Sequence, residues 1–154
     1  MNGIYLYAEG GSIEAFISSN NVTGNGEDGI FMEFYGELSN ITIVDNNITG
    51  NSYDGIDVRT QYYNITLTIA DNTIVDNGNN GIYTSAEDGN IEGTISGNNI
   101  TDNGNDGIYT HAWWDAFLTL TVTGNNIVGN GRIGIHAEAD DDAYLTITNN
   151  NITS

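Results

Sequence analysis

The sequence contains neither cysteine nor proline. Without cysteine, neither a disulfide framework nor a thiolate metal site can form. No apolar run approaches the length of a transmembrane helix, and the first residues, Met1 to Ala8, lack the basic and long apolar regions of a signal peptide. We therefore expect no membrane insertion. If the protein is exported, we expect this sequence to be a mature or excised form.

Basic residues are also scarce. The chain has 2 Lys and Arg residues against 21 Asp and Glu residues, which gives a formal net charge of −19. This charge repels phosphate backbones and anionic lipid surfaces, so we expect no nucleic-acid partner. The acidity suits a high-salt habitat, a calcium-rich exterior or a basic partner. The simplest interpretation is a solvated surface that keeps the protein soluble.

A repeat of about 26 residues runs through the whole chain. Six Gly-Ile pairs begin at Gly3, Gly29, Gly55, Gly81, Gly107 and Gly134, with spacings of 26, 26, 26, 26 and 27. A second series follows nearly the same period, at Asn20, Asn46, Asn72, Asn98, Asn125 and Asn150. A third comprises Asn25, Asn51, Asn77, Asn103 and Asn130. A short fixed period indicates a solenoid. We predict one domain, residues 1–154, with coils starting near residues 2, 28, 54, 80, 106 and 133.

Within each repeat, apolar and polar residues alternate with period two, which is typical of strands. In the second repeat the inward residues are Ile30 and Met32 on one strand, Ile41 and Ile43 on the next, and Ile48 on a short third strand. Three strands and three turns per coil, without helices, make an all-β parallel β-helix. Stacked coils place equivalent residues about 4.8 Å apart, so the Gly-Ile isoleucines form one buried stack.

The asparagine series that starts at Asn20 falls at the bend between the second and third strands. There an inward amide can hydrogen-bond both to the bend and to its neighbours in the stack. We therefore predict an asparagine ladder along one corner. The glycines of the Gly-Ile pairs follow a turn, where either a positive φ or a close backbone contact excludes other residues.

The residue pattern of the repeat resembles that of a known protein family. In one period it reads Asn46, Ile48, Asn51, Asp54, Gly55 and Ile56. This is similar to the pectate-lyase-like superfamily of right-handed parallel β-helices, in the generic repeat form of many bacterial and archaeal surface proteins. The resemblance covers the whole chain, implies a right-handed solenoid, and says little about activity. It also implies that the Gly-Ile strand corresponds to the sheet on which lyases of the family place their sites.

Two outward columns run along that sheet. The first outward column comprises Tyr5, Phe31, Asp57, Tyr83, Tyr109 and His136, and the second comprises Tyr7, Glu33, Arg59, Ser85, His111 and Glu138. The resemblance implies that a lyase would need carboxylates holding Ca²⁺ and an Arg or Lys base, for which Asp57, Glu33 and Arg59 are the candidates. The alternative is a surface ion pair between Arg59 and Glu33, which stack in neighbouring coils.

Two other sets of residues suggest metal ligands. The loops after the first strand carry acids on successive coils, so Asp115, Asp140, Asp141 and Asp142 could bind Ca²⁺. His111, His136 and Glu138 lie on adjacent coils, but a site there needs a third well-placed ligand and a rigid surround. Because no loop has a complete ligand spacing, we favour solvated charge and predict no cofactor, with calcium as the alternative.

Trp113 and Trp114 occupy the one lengthened loop of the repeat, beside the aromatic column. Indole is costly to expose. These residues, with Tyr83 and Tyr109, predict a stacking platform for sugar rings or an anchor for a protein partner. The alternative is that one or both indoles pack back over the wall of the solenoid.

The leading hypothesis from the sequence is a non-enzymatic extracellular or cell-surface module, structural or adhesive, that contacts carbohydrate. The main rival is a calcium-dependent polysaccharide lyase or a related carbohydrate-active enzyme. Ice binding is a minor alternative, suggested by a threonine column that Phe16 interrupts and that comprises Thr42, Thr68, Thr94, Thr121 and Thr146. Six Asn-x-Thr sequons, at Asn21, Asn40, Asn47, Asn64, Asn99 and Asn151, are weak signals because most arise from the repeat.

Neither end of the sequence offers an amphipathic helix or a polar cap beyond the repeat. Both ends of the solenoid would then expose strand edges and an apolar cross-section. We therefore expect either further adjoining coils or end-to-end stacking of copies, which can continue into a filament.

Overall fold

The structure is a computed structural model and describes residues 1–153. Over these residues the chain forms 18 strands and no helix. Accordingly, the described part of the chain has no helix able to cross a membrane.

Each coil contributes three strands. The first three coils contain β1 (Ile4–Ala8), β2 (Glu14–Ser18), β3 (Asn21–Thr23), β4 (Ile30–Phe34), β5 (Ser39–Val44), β6 (Asn47–Thr49), β7 (Ile56–Gln61), β8 (Ile65–Ala70) and β9 (Thr73–Val75). The last three contain β10 (Ile82–Glu87), β11 (Ile91–Ser96), β12 (Asn99–Thr101), β13 (Ile108–Trp113), β14 (Leu118–Thr123), β15 (Asn126–Val128), β16 (Ile135–Ala139), β17 (Ala143–Thr148) and β18 (Asn151–Thr153).

Equivalent strands of successive coils pair in parallel and build three sheets. The first sheet has the order β1-β4-β7-β10-β13-β16, and the second and third sheets repeat this pattern with the second and third strands of each coil. The register follows the repeat, so Ile56 lies between Ile30 and Ile82. The predicted all-β solenoid of six coils with three strands each is therefore confirmed.

The core is a column of apolar side chains, mostly isoleucine, enclosed by the three sheets. The isoleucines of the Gly-Ile pairs are fully buried in the four inner coils, at Ile30, Ile56, Ile82 and Ile108. Each coil buries its apolar face against its neighbours, and this is why a single repeat could not fold alone. Residues that alternate with these point outward and form the surface of each sheet.

An asparagine ladder runs along the corner between the second and third sheets, as predicted. The Nδ2 atom of Asn46 donates to Oδ1 of Asn72 at 3.0 Å, and Nδ2 of Asn72 donates in turn to Oδ1 of Asn98 at 3.0 Å. The third series forms a second ladder of the same kind, in which Nδ2 of Asn51 donates to Oδ1 of Asn77 at 2.8 Å. The amides thus saturate backbone groups at bends that water does not reach.

Close backbone packing and a positive φ are the two reasons that can require glycine, and they apply at different positions of the structure. The glycines of the Gly-Ile pairs are required by close packing: a Cβ on Gly55 would lie 2.6 Å from the carbonyl oxygen of Gly81 and 2.6 Å from Cγ2 of Ile74. Most left-handed positions are instead the residues before the asparagine ladders, such as Asp71 at φ 55° and Gly97 at φ 64°. Asp and Gly are among the residues that tolerate this conformation best.

The lengthened fifth coil differs from the prediction in one detail. Trp113 is the last residue of strand β13 and not a loop residue, so it pairs in register with Glu87. Trp114 lies in the turn that follows, at φ 55°.

Candidate functional site

The outward face of the first sheet carries the aromatic side chains that the sequence placed there. In the first outward column, the ring centroids of Tyr5 and Phe31 are 5.5 Å apart with nearly parallel planes. Those of Tyr83 and Tyr109 are 5.3 Å apart, edge to face, and those of Tyr109 and His136 are 4.6 Å apart and stacked. The parallel register stacks the rings along the axis of the solenoid.

Arg59 fills the gap in this row of rings. Its guanidinium carbon lies 5.2 Å from the ring centroid of Phe31 and 5.4 Å from that of Tyr83, within the range of cation–π attraction. The row therefore continues through the third coil, where the first outward column has an aspartate instead of a ring.

The predicted pairing of Arg59 with Glu33 is wrong. Arg59 binds Asp57 on its own strand, with Nε 2.9 Å from Oδ1 and Nη2 2.6 Å from Oδ2. Asp57 is fully buried although it lies on the outward side of the strand. Glu33 instead accepts a hydrogen bond of 2.8 Å from the hydroxyl of Tyr35. The buried carboxylate attracts the guanidinium more strongly than a solvated one does, because water screens it less.

A cluster of three carboxyl groups lies beneath Arg59. Oxygen atoms of Asp28, Asp54 and Asp57 all lie within 4.8 Å of one another. Burial raises the pKa of Asp54 to about 7, with the charge of Asp57 as a second cause. Burial also raises the pKa of Asp57 to about 6, although its hydrogen bonds to Arg59 act in the opposite direction. The pKa of Asp28 is raised by burial as well.

This cluster was not predicted from the sequence. Asp28 and Asp54 precede the Gly-Ile pairs, where the signal was a column of Asn and Asp residues that comprises Asn2, Asp28, Asp54, Asn80 and Asp106. These side chains form a third ladder, in which Oδ1 of Asp54 accepts from the backbone N–H of Asn80 at 2.7 Å. Carboxyl oxygens are the ligands that calcium prefers, but the ladder bonds and the Arg59 ion pair already engage these carboxyl groups.

A cleft of about 220 Å³ opens on the same face, over the second outward column. Its lining includes Glu33, Arg59, Gln61, Tyr83, Glu87 and Trp113. Ser85 lies between Arg59 and His111 in the register of the sheet, and its small side chain leaves the floor of the cleft open. The cleft therefore combines aromatic walls with charged and amide groups.

The four residues of the predicted stacking platform are only partly brought together. Tyr83 and Trp113 both line the cleft, and Tyr109 lies directly beside Tyr83. Trp113 also stacks on His111 at a centroid distance of 3.8 Å and remains 43% exposed. Trp114 is 55% exposed and does not line the cleft. Neither indole is packed away beneath the surface.

Residues 1–153 match the sequence profile of the right-handed β-helix region family. The chain belongs to the right-handed β-helix family. No curated protein shows significant similarity to this β-helix. Among solved structures it is similar to the periplasmic alginate epimerase AlgG, with 16% identity and a TM-score of 0.49, over 98% of this chain and 47% of that one. This β-helix thus spans about half the length of that epimerase.

A hydrogen-bonded network joins the last two coils of this β-helix. Nδ1 of His136 lies 2.9 Å from the fully buried Asp106, and Nε2 lies 3.1 Å from Oε1 of Glu138. The hydroxyl of Tyr109 donates to Oε2 of Glu138 at 2.8 Å, which lowers the pKa of Glu138. The imidazole of His136 thus links a buried carboxyl group of the fifth coil to an exposed one of the sixth.

The predicted metal ligands do not converge. Over residues 1–153, the carboxyl cluster beneath Arg59 is the one group of three Asp, Glu or His ligand atoms within 4.8 Å of each other. His111, His136 and Glu138 do not meet this distance, and Asp115, Asp140, Asp141 and Asp142 do not form a group either. Oδ2 of Asp140 instead accepts a hydrogen bond of 3.1 Å from the backbone N–H of Trp114. Solvated charge on these loops, with calcium binding as the alternative, stays a prediction.

The threonine column lies on the outward face of the second sheet. Its five threonines stack in register from Thr42 to Thr146, and Phe16 extends the column at the first coil. The neighbouring column on this face is irregular, because it reads Asn40, Thr66, Glu92, Thr119 and Tyr144. Ice binding therefore stays a minor prediction that rests on one column.

Proposed function

We propose that this β-helix is a non-enzymatic module that binds carbohydrate through the cleft on the outward face of its first sheet. The observation that carries the proposal is the composition of the cleft, in which Tyr83 and Trp113 flank a floor with Arg59, Gln61 and Ser85. Flat rings pack against the apolar faces of sugars, and the polar groups exchange hydrogen bonds with hydroxyls.

The size and position of the cleft suit one part of a longer chain. Its volume of about 220 Å³ is below the roughly 300–1,000 Å³ of pockets that enclose a drug-sized ligand. The open floor follows the second outward column along the axis of the solenoid, parallel to the row of rings in the first outward column. The proposed ligand is therefore a polysaccharide segment, which contacts the cleft with a few of its sugars and passes over neighbouring aromatic rings of the face.

The pKa of Arg59 and its ion pair with Asp57 favour carbohydrate binding over lyase chemistry. A lyase base must release its proton, and a lowered pKa favours this. Here the hydrogen bonds to Asp57 raise the pKa of Arg59. Asp57 is fully buried, so substrate cannot reach it without rearrangement of the residues that cover it. The Arg59 and Asp57 pair thus supplies a fixed donor and not a base.

A module that binds polysaccharide works where polysaccharides are displayed, so we propose that it is extracellular or located at the cell surface. The acidic surface, with a formal charge of −19, discourages side-by-side association of such modules. We place no nucleic acid and no membrane-inserted segment in this proposal.

The first test is glycan binding by variants of the cleft. We expect Trp113→Ala and Tyr83→Ala each to weaken binding of a polysaccharide by about 5- to 30-fold, which corresponds to about 1–2 kcal/mol for a central aromatic contact. The measurement is isothermal titration calorimetry, after a panel of neutral, acidic and amino polysaccharides has identified a ligand. Tyr144→Ala is the matched control, because this tyrosine is exposed on the second sheet.

Two results would contradict the proposal. Equal losses in Tyr144→Ala and Trp113→Ala would show that the aromatic residues act without regard to the cleft. Depolymerisation of an acidic polysaccharide that disappears in Arg59→Ala would favour the lyase instead. Trp114→Ala, outside the cleft, should bind almost normally.

End-to-end stacking stays a separate prediction about assembly. In the sixth coil the apolar side chains of Ile147 and Ile152 are 46% and 45% exposed, whereas their counterparts in inner coils are buried. Either further coils of a longer chain or pairing of copies through such a surface would bury these residues. We expect the sedimentation coefficient of the protein to rise with concentration, and Ile152→Asp to prevent the rise. A single species at every concentration tested would contradict it.

A further inference from the structure

The charges of the cleft are unbalanced. Glu33 and Glu87 both line it, and Arg59 is the one cationic side chain among its lining residues. The charge of Arg59 is already compensated, because Asp57 beneath it accepts the hydrogen bonds of Nε and Nη2. The two glutamates therefore leave the cleft with a net negative field, in a chain whose formal charge is −19.

The hydrogen bonds of the cleft leave acceptors free. Glu33 uses Oε1 to accept from Tyr35 at 2.8 Å, and Glu87 uses Oε2 to accept from Gln61 at 2.6 Å. Among the hydrogen bonds of residues 1–153, no donor is assigned to the second carboxylate oxygen of either glutamate. A carboxylate is an acceptor only, so these oxygens can accept hydrogen bonds from a ligand that donates. Ligand hydroxyls donate, and ligand ammonium groups donate and also carry a charge.

The aromatic walls favour the same ligand. The faces of Tyr83 and Trp113 carry the negative side of the ring quadrupole, which attracts cations. Arg59 demonstrates this preference within the molecule, because its guanidinium carbon lies 5.4 Å from the Tyr83 ring. A uronate in the cleft would instead place its carboxylate near two glutamates and two ring faces.

The two glutamates are spaced along the axis. Glu33 lies on β4 and Glu87 on β10, two coils apart, which separates their strands by about 10 Å. A polymer that lies along the axis and carries an amine on each sugar can therefore contact both carboxylates. A ligand with a single ammonium group can contact one of them at a time.

From these observations we infer that the cleft selects amino sugars with free ammonium groups, such as oligomers of glucosamine, over neutral sugars and over uronates. This inference rests on the proposed carbohydrate-binding function and narrows it to one substrate class. This substrate class differs from the acidic polysaccharides that the lyase hypothesis requires.

The test compares four probes by calorimetry: a glucosamine tetramer, the N-acetylated tetramer, a galacturonate tetramer and tetralysine. We expect the glucosamine tetramer to bind about tenfold more tightly than the N-acetylated one, and the galacturonate tetramer to bind most weakly. Glu33→Gln and Glu87→Gln should each reduce this preference several-fold. Glutamine keeps an oxygen at Glu87 that accepts the hydrogen bond from Gln61, so the cleft keeps its shape.

The matched control separates the cleft from the general acidity of the surface. Glu92→Gln makes the same change of charge at an exposed position on the second sheet. It should leave the preference unchanged, whereas a loss equal to that of Glu87→Gln would show that overall charge alone attracts the polycation and would overturn the inference.

The remaining outcomes separate the inference from the function it rests on. Equal binding of the glucosamine and N-acetylated tetramers would overturn the charge preference and leave carbohydrate binding intact. Binding of no glycan would overturn both. If tetralysine binds as tightly as the glucosamine tetramer and is equally sensitive to Glu87→Gln, the cleft recognises cationic peptides, and the assignment to amino sugars is wrong.

Discussion

Replacement of Asn72 by alanine should lower the free energy of unfolding by about 3–5 kcal/mol, because several buried polar groups lose their partner at once. The Nδ2 atom of Asn72 lies 2.9 Å from the carbonyl oxygens of Ile43 and Ala70. Its Oδ1 atom accepts from the backbone N–H of Asn46 at 2.9 Å. Alanine offers none of these bonds, and water does not reach the groups that remain.

Asn47→Ala is the matched control for this loss. Asn47 lies one residue after the ladder and points outward, where its amide donates to Oδ1 of Asn21. Its removal should cost less than about 1 kcal/mol, since solvent replaces the bond. Urea denaturation followed by circular dichroism measures both variants. Similar losses would contradict the structural role assigned to the inward ladder.

The protein should also lose stability as the pH rises from about 4 to about 7, by an amount on the order of 2–4 kcal/mol. The cause is the carboxyl cluster beneath Arg59. Burial raises the folded-state pKa of Asp54 to about 7 and that of Asp57 to about 6, from an ordinary value of 3.8. A raised pKa means that the fold favours the neutral acid. The stabilisation is therefore complete below the unfolded pKa and is lost as the pH rises through the folded pKa.

Asp54→Asn tests this effect in isolation, because an asparagine already occupies the equivalent position of another coil. Asn80 occupies the equivalent position one coil later, and its Oδ1 accepts from the backbone N–H of Asp106 at 3.1 Å and from Asn105 at 3.0 Å. Asp54 accepts in the same way from Asn80 and Asn79. The variant therefore keeps the ladder, and we expect it to gain about 1–3 kcal/mol at pH 8 and to show a flatter pH dependence.

Asp106→Asn is the control at the same ladder position. The Asp106 carboxylate is fully buried and lies 2.9 Å from Nδ1 of His136 and 3.9 Å from Nη1 of Arg132. Removal of its charge takes a partner from both, so we expect this variant to be less stable than the parent protein. Thermal denaturation of the three proteins between pH 4 and pH 8 makes the comparison. A loss of stability at pH 8 in Asp54→Asn would contradict the account of the cluster.

Much of the candidate site could be predicted from the sequence, because the strand register of a solenoid follows from the repeat. Once Gly29 and Gly55 were known to be one coil apart, Glu33 had to lie beside Arg59, and the structure shows this pairing of strands. The ion-pair partner of Arg59 could not be predicted. Spacing shows which residues are neighbours, whereas the depth of each carboxylate decides which one Arg59 binds.

The carboxyl cluster could not be predicted for a related reason. Asp57 belongs to the sheet and Asp28 and Asp54 to the turn before it, and their approach depends on how far the turn rotates each side chain. Similarly, Trp113 was assigned to a loop because the extra residue of the fifth coil had no unique position in the sequence. The strand β13 ends at Trp113, and this brings the indole into the cleft.

The amino-acid sequence by itself determined the solenoid, its coil length, the buried isoleucine stack and the asparagine ladder, because each depends only on which residues recur at a period of about 26. Tertiary structure alone decided which carboxyl groups are buried, which partner Arg59 binds and where a cleft opens. The burial of a carboxyl group depends on how completely neighbouring side chains exclude water from it. The position of the cleft depends on the size of the side chains that surround it. The 26-residue repeat specifies neither property.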